Sequence, residues 1–136
     1  MMEAYNMSTT QTIERTTLTH LIYNEDYCRK VIPFIKPIYY ADRQERVVFE
    51  EIEKFLDKYN TLPTKETLTI GVDNRKDIND EDYKKVVDII SSLDKTEVDL
   101  QWLHDETEKF CKDKAIYHAV LDGISIIDGK DKNRTP

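Results

Sequence analysis

Between Thr96 and Asp128 the chain carries one uninterrupted helical pattern, and within it Leu103, Phe110, Tyr117 and Ile124 recur at every seventh position. The stretch holds no proline and a single glycine, Gly123. Thr96 with Asp99 reads as a capping pair at its start, and Gly129 reads as its stop. A helix of about 30 residues is about 45 Å long at 1.5 Å per residue. The residues before it fold into a body only about 30–35 Å across by the usual size scaling. The helix therefore outruns its own domain, and its far end projects. A seven-residue apolar repeat is the seam of a helix that lies along another helix. The head can cover the first half, around Leu100, Trp102, Leu103 and Phe110. No partner remains for the second half, Tyr117, Val120, Leu121, Ile124 and Ile127, and an exposed apolar strip of that kind marks an interface. Gly123 costs about 1 kcal/mol relative to Ala inside a helix, which would permit a kink or a close approach there.

The remaining sequence predicts short helices. Only 3 Gly and 4 Pro interrupt 136 residues, and no segment alternates apolar and polar residues as a half-buried strand does. Ile13, Leu18, Leu21 and Ile22 mark a first helix beginning near Thr10. Asn24 caps a second that buries Tyr27, Val31 and either Ile32 or Phe34, with Glu25 and Asp26 in its first turn. Pro33 and Pro37 then break the chain, which leaves Tyr39 and Tyr40 on a buried bridge. Asp42, in a capping box with Glu45, opens the clearest amphipathic helix. Its stripe is Val48, Ile52, Phe55, Leu56 and Tyr59, and Glu50, Glu51, Glu53, Lys54 and Asp57 face water. Thr64 caps a short helix with Leu68, Ile70 and Val72. Asn79 or Asp80 caps another with Tyr83, Val86, Val87, Ile90 and Leu93. The expectation is an all-α fold: a flexible leader at 1–9, a small helical head of about five short helices at 10–95, a long interface helix at 96–128, and a turn or cut linker at 129–136.

Composition narrows the function. The net charge is -7 and the pI about 5.0, and the densest basic cluster, Lys130, Lys132 and Arg134, alternates with acid. Direct DNA binding normally needs a concentrated basic surface, so this segment is not expected to grip DNA itself. The two cysteines, Cys28 and Cys111, lie far apart with no pairing framework, which points to a reducing compartment. No segment approaches 18 apolar residues and no signal-peptide pattern opens the chain, so a cytoplasmic, membrane-free location is expected.

Five catalytic or ligand-binding patterns fail on their chemistry. In "DGISIIDGKDK" Gly129-Lys130 suggests a phosphate loop, but Ile124 occupies the first glycine position and Asp131 replaces the hydroxyl, where an acid repels phosphate. An EF-hand starting at Asp73 would place Arg75, Ile78 and Lys84 at ligand or turn positions. His104, Cys111 and His118 are about 10 Å apart per step along one helix, too far to share a zinc. Glu50, Glu51 and Glu53 sit on the polar face of an amphipathic helix, where solvation explains them. Tyr39 and Tyr40 lack the surrounding basic charge of a stacking platform. No catalytic, cofactor-binding or metal-binding residue is assigned.

The order of parts carries a resemblance. "TLTHLIYNEDYCRKVIPFIKPIYY" leads into "DRQERVVFEEIEKFLDKYNTLPTKETL", then a two-helix stretch and "FCKDKAIYHAVLDGISIID". With Val48-Phe49 and Leu62-Pro63-Thr64 as its packing signatures, this resembles the N-terminal domain of DnaB-like replicative helicases, in particular those of T-even-type bacteriophages. The resemblance spans nearly the whole chain from about Ile13. It implies a helical head followed by a helical hairpin, with the helix from Thr96 to Asp128 as the first arm and "GKDKNRTP" as its turn. It further implies subunit association in one tier of a hexameric ring, contact with primase and helicase loader, and a linker to a RecA-like ATPase domain. That parent would be an ATP-dependent 5'-3' DNA helicase using ATP and Mg in a bacterial host cytoplasm. The second arm and the ATPase domain are absent from these residues, so none of them is expected to hydrolyse ATP. The alternative is that the strip folds against a returning helix of the same chain, and a hairpin permits both. The competing expectation is a free-standing helical phage adaptor or regulator with no ATPase attached.

Overall fold

Capping side chains punctuate the backbone at most of the places where the sequence puts them. Asn24 Oδ1 accepts the Tyr27 N–H at 3.1 Å, and Asn79 Oδ1 accepts the Asp82 N–H at 2.8 Å. The Thr64 hydroxyl accepts the Thr67 N–H at 3.2 Å while the Thr67 hydroxyl accepts the Thr64 N–H at 2.8 Å, so two orphan donors are satisfied reciprocally. The computed structural model describes the backbone of residues 2–129 and the side chains of residues 13–124. Over that range the elements are α1 (Met2–Tyr23), α2 (Glu25–Val31), α3 (Arg43–Tyr59), α4 (Lys65–Asp73), α5 (Asp80–Ser91) and α6 (Leu100–Gly129). Two 3-10 turns, Ile32–Phe34 and Pro37–Tyr39, lie between α2 and α3. Among the described residues there is no strand; the fold is all-α, with a head of short helices and one long terminal helix.

Several boundaries differ from the expectation. The backbone is helical from Met2, across the residues read as a leader; residues 2–9 contain neither Gly nor Pro, so no breaker opposes the helix. The start of the long helix moves from Thr96 to Leu100. Asp99 caps it, with its carbonyl accepting the Leu103 N–H at 3.0 Å and its side chain accepting the Trp102 N–H at 2.9 Å. Gly129 falls inside the helix bounds, and residues 130–136, read as a turn, lie outside the described residues. Asp42 does cap α3 through the Gln44 N–H at 2.7 Å, but Glu45 does not complete a capping box.

The core is one cluster centred on Tyr27, Tyr40, Phe49, Leu18, Leu21 and Ile52. Tyr39 and Tyr40, which follow Pro37, are buried as the sequence leads one to expect. Val47 and Ile89 join the core although the apolar stripes omitted them, whereas Tyr59 and Ile70 are exposed. Three acids are also buried, Glu14, Glu45 and Glu51. Glu51, on a face read as solvated, is held by Arg75 at 2.9 Å and Lys54 at 3.3 Å. Arg75 also grips Glu50 and Asp77, so a single guanidinium pins the α4–α5 loop to α3. Gly71 of α4 leaves room for the Glu51 carboxylate, which a Cβ there would strike.

Glu45 is the second buried acid. Its Oε2 accepts Arg15 Nε at 2.9 Å, while its Oε1 and the Oε2 of the buried Glu14 have no hydrogen-bond partner. From α6, Lys114 Nζ stands 3.8 Å from that Glu14 oxygen. Burial pushes Glu45 up to about 7 from an ordinary 4.5; the neighbouring Glu14 reinforces this and Arg15 opposes it. A protonated Glu45 can donate toward Glu14, which would give both orphaned oxygens a partner. Because the folded value lies above the unfolded one, the contribution of Glu45 to stability is complete below about 4.5 and is lost as pH rises through about 7. Glu45→Gln keeps the shape of the neutral acid. Relative to wild type, the variant should gain about 2 kcal/mol between pH 5 and pH 8, read from urea unfolding at each pH. A difference that stays flat across that range refutes the assignment.

Candidate protein interface

α6 rests on α1, α2 and the second 3-10 turn through its first half. Leu103 is fully buried. The hydroxyl of Thr107 donates to the Leu103 carbonyl at 2.8 Å, which leaves Tyr27 Oη to donate to Thr107 Oγ1 at 2.6 Å. Phe110 enters between two tyrosines, with ring centroids 6.4 Å from Tyr39 and 5.6 Å from Tyr40. Tyr40 is tied in turn to α1: Thr17 Oγ1 donates to the Glu14 carbonyl at 2.7 Å and therefore accepts from Tyr40 Oη at 2.7 Å. The helix is thus clamped at two levels, one heptad apart.

The contacts end at His118. Its ring stacks on Tyr39 with centroids 6.4 Å apart and planes 19° apart, and its Nε2–H donates to the Ile38 carbonyl at 3.1 Å. That bond fixes the proton on Nε2, because a carbonyl can only accept. From Ile116 to Ile124 the large apolar side chains of the helix have no cover. Leu103 and Phe110 are 0% and 6% exposed, but Tyr117 is 56%, Val120 54%, Leu121 42% and Ile124 51% exposed. Four of the five strip residues chosen from the sequence therefore lie together on an uncovered face; Ile127 lies outside the described side chains. Ile116, 63% exposed, belongs to the strip as well. It stands four residues before Val120 and eight before Ile124, a spacing visible in the sequence that a search restricted to the heptad passes over. Exposed Ile38 stands beside His118, where the strip meets the head.

The first half of α6 differs in one respect from expectation. Leu100 and Trp102 are exposed and uncovered by the head, because α6 begins at Leu100 and only the face of Leu103, Thr107 and Phe110 meets it. Gly123 sits inside the helix, and a Cβ there would meet nothing within 4 Å. The cysteines are ordinary packing residues in their chemistry. Burial pushes Cys28 and Cys111 up to about 11, so their thiolate fractions at neutral pH are negligible. Among the described residues no group of His, Cys, Asp and Glu is arranged to hold a metal ion, and no helix is long and apolar enough to cross a membrane.

No family model matches the chain. It is similar, at 28% identity over 109 residues, to a DnaB-like replicative helicase of Enterobacteria phage T4. The aligned region covers 80% of this chain and 23% of that relative, so the chain spans about a quarter of the relative's length.

One helix face in two environments makes a direct test of where the head ends. Leu103→Ala should cost about 2–5 kcal/mol of unfolding free energy, as for a buried leucine. Leu121→Ala should fall within about 0.5 kcal/mol of wild type, as for an exposed site. Comparable losses at both positions in denaturant melts of the isolated chain would mean that the strip is covered.

Proposed function

We infer that this chain is a non-catalytic assembly and partner-docking domain of a DnaB-like replicative helicase, and that the strip of Ile116, Tyr117, Val120, Leu121 and Ile124 is its contact surface. The observation that carries this reading is the uncovered run of Ile116, Tyr117, Val120, Leu121 and Ile124 on the same helix whose Leu103 and Phe110 are buried in the head. Such a face has no role in the isolated head, and each large side chain covered by a partner supplies about 1.5–3 kcal/mol before ordering costs. The similarity to a phage replicative helicase supports a helicase-related role. In this reading α6 is the first arm of a helical hairpin in the N-terminal tier of a hexameric ring, with primase and loader as further partners. ATP and Mg chemistry belongs to a RecA-like domain elsewhere in the parent protein.

Two measurements test the reading. The reading frame beyond Pro136 should encode a returning helix and then a phosphate-binding Gly-x-x-x-x-Gly-Lys-Ser/Thr loop; a stop codon there favours a free-standing adaptor instead. Leu121→Asp, in this chain and in the longer parent, should lower the sedimenting mass while leaving the circular dichroism spectrum unchanged. Identical masses for wild type and variant at high concentration would remove the strip as an assembly surface.

A further inference from the structure

Two buried carboxylates lack the partner that burial demands. Glu14 of α1 and Glu45 of α3 are each 2% exposed, and one oxygen on each, Glu14 Oε2 and Glu45 Oε1, has no hydrogen-bond partner. A buried charge left unpaired is costly, and two neighbouring carboxylates cannot both ionise freely. From α1, Arg15 holds the other Glu45 oxygen at 2.9 Å and reaches Ser92 Oγ at 3.3 Å. From the bridge before α3, the Tyr40 hydroxyl is engaged with Thr17 Oγ1, and burial keeps it protonated. Arg46 of α3 turns away to the Tyr40 carbonyl. From α6, Lys114 Nζ stands 3.8 Å from Glu14 Oε2. A metal ion could also join two carboxylates, but Arg15 and Lys114 flank these and repel it.

The lysine gives the pair an output. Glu14 Oε2 is both the oxygen to which a protonated Glu45 can donate and the oxygen that Lys114 approaches. With the proton present the pair carries one negative charge, and its hydrogen bond joins α1 to α3. Without the proton the pair carries two, the bond between those helices is lost, and the pull on Lys114 grows. We propose that the Glu14–Glu45 pair is a proton-operated latch: losing the shared proton transfers Glu14 from its bond with α3 to an ion pair with Lys114, which loosens α3 and tightens α6. The proton passes to water at the edge of the pair, where the Lys114 and Arg15 side chains are 22% and 39% exposed. Lys114 lies one turn before His118, so the latch acts where α6 leaves the head. Burial pushes Glu45 up to about 7, which puts the changeover near neutral pH. Coupling of this kind is reciprocal: if ionisation strengthens the hold on Lys114, then Lys114 favours ionisation. None of this depends on what the apolar strip meets.

Two measurements on the chain test the latch. Carbon-13 NMR of the glutamate carboxyls between pH 5 and pH 9 should show Glu45 titrating near neutrality, and Lys114→Met should raise that midpoint by about half a unit or more. Methionine keeps most of the lysine stem, so the variant should retain the wild-type circular dichroism spectrum. Amide hydrogen exchange, corrected for its intrinsic pH dependence, should protect residues 111–118 at least about threefold more at pH 8 than at pH 5.5, while α3 loses protection. Lys114→Met should abolish the gain in α6 and keep the loss in α3. Glu45→Gln, which can donate to Glu14 at every pH, should flatten both responses. The latch is refuted if the α6 response survives Lys114→Met, or if that variant leaves the Glu45 midpoint unmoved. It is equally refuted if Glu45 stays in one state across the range, or if α6 protection is constant or falls as pH rises.

Discussion

The insertion of Phe110 between Tyr39 and Tyr40 is the contact on which the arrangement of the whole molecule depends. Pro33 and Pro37 force the chain out of helix after α2 and bring the two tyrosines into the core. Tyr40 then touches three helices at once, through Thr17 of α1, Phe49 of α3 and Phe110 of α6. Aromatic pairs of this geometry contribute about 0.5–1.5 kcal/mol each beyond their buried area. Tyr39 adds His118 on its other side, so one short bridge fixes both the depth at which α6 enters the head and the level at which it leaves. The helix from His118 to Gly129 takes its direction from these rings.

Around that aromatic centre the head uses charge where hydrocarbon would be simpler. Glu45 and Glu14 meet between α1 and α3, with Lys114 of α6 at the edge, and Glu51 sits under Arg75 against Gly71. A buried charge earns little net stability, yet removing one partner is costly because the other is left unpaired in a poor solvent. Such groups therefore specify which faces of α1, α3, α4 and α6 meet more than they strengthen the meeting. Alternative registers of these short amphipathic helices would strand a carboxylate, and the native register is the one in which each has Arg15, Arg75, Lys54 or Lys114 nearby.

These same groups explain what could and could not be read from the sequence. The caps at Asn24, Thr64 and Asn79 were legible because a cap is a local hydrogen bond between a side chain and a backbone two or three residues on. The division of α6 was legible because it needs only a periodicity and a comparison of lengths. Glu45 and Glu51 were not, since a binary pattern assigns every acid to water and their partners, Arg15 and Arg75, lie 30 and 24 residues away. Tyr59 and Ile70 failed in the opposite sense. Each continues an apolar stripe, but the groove between α3 and α4 has no element to fill it, a fact of tertiary geometry that periodicity does not contain. Ile116 was lost to a seven-residue filter although its neighbours at four and eight residues were present.

The projecting half of α6 poses a problem of order that its anchored half resolves. From Ala119 to Ile124 the helix has no side-chain cover, and an isolated helix shorter than about 12–15 residues is marginal in water. Gly123 weakens it further, because an unpacked glycine has the most backbone entropy to lose. The segment is helical because its first turns are templated by residues already clamped at Leu103 and Phe110, so propagation proceeds without the cost of nucleation. Such an end lies at the low-stability limit of the fold, where local opening costs little. A partner laid along Ile116, Tyr117, Val120, Leu121 and Ile124 would supply both the apolar cover and the missing order. The absence of a side chain at Gly123 would let that partner approach the backbone closely. The feature that destabilises the free helix is then the one that suits it to being completed by another surface.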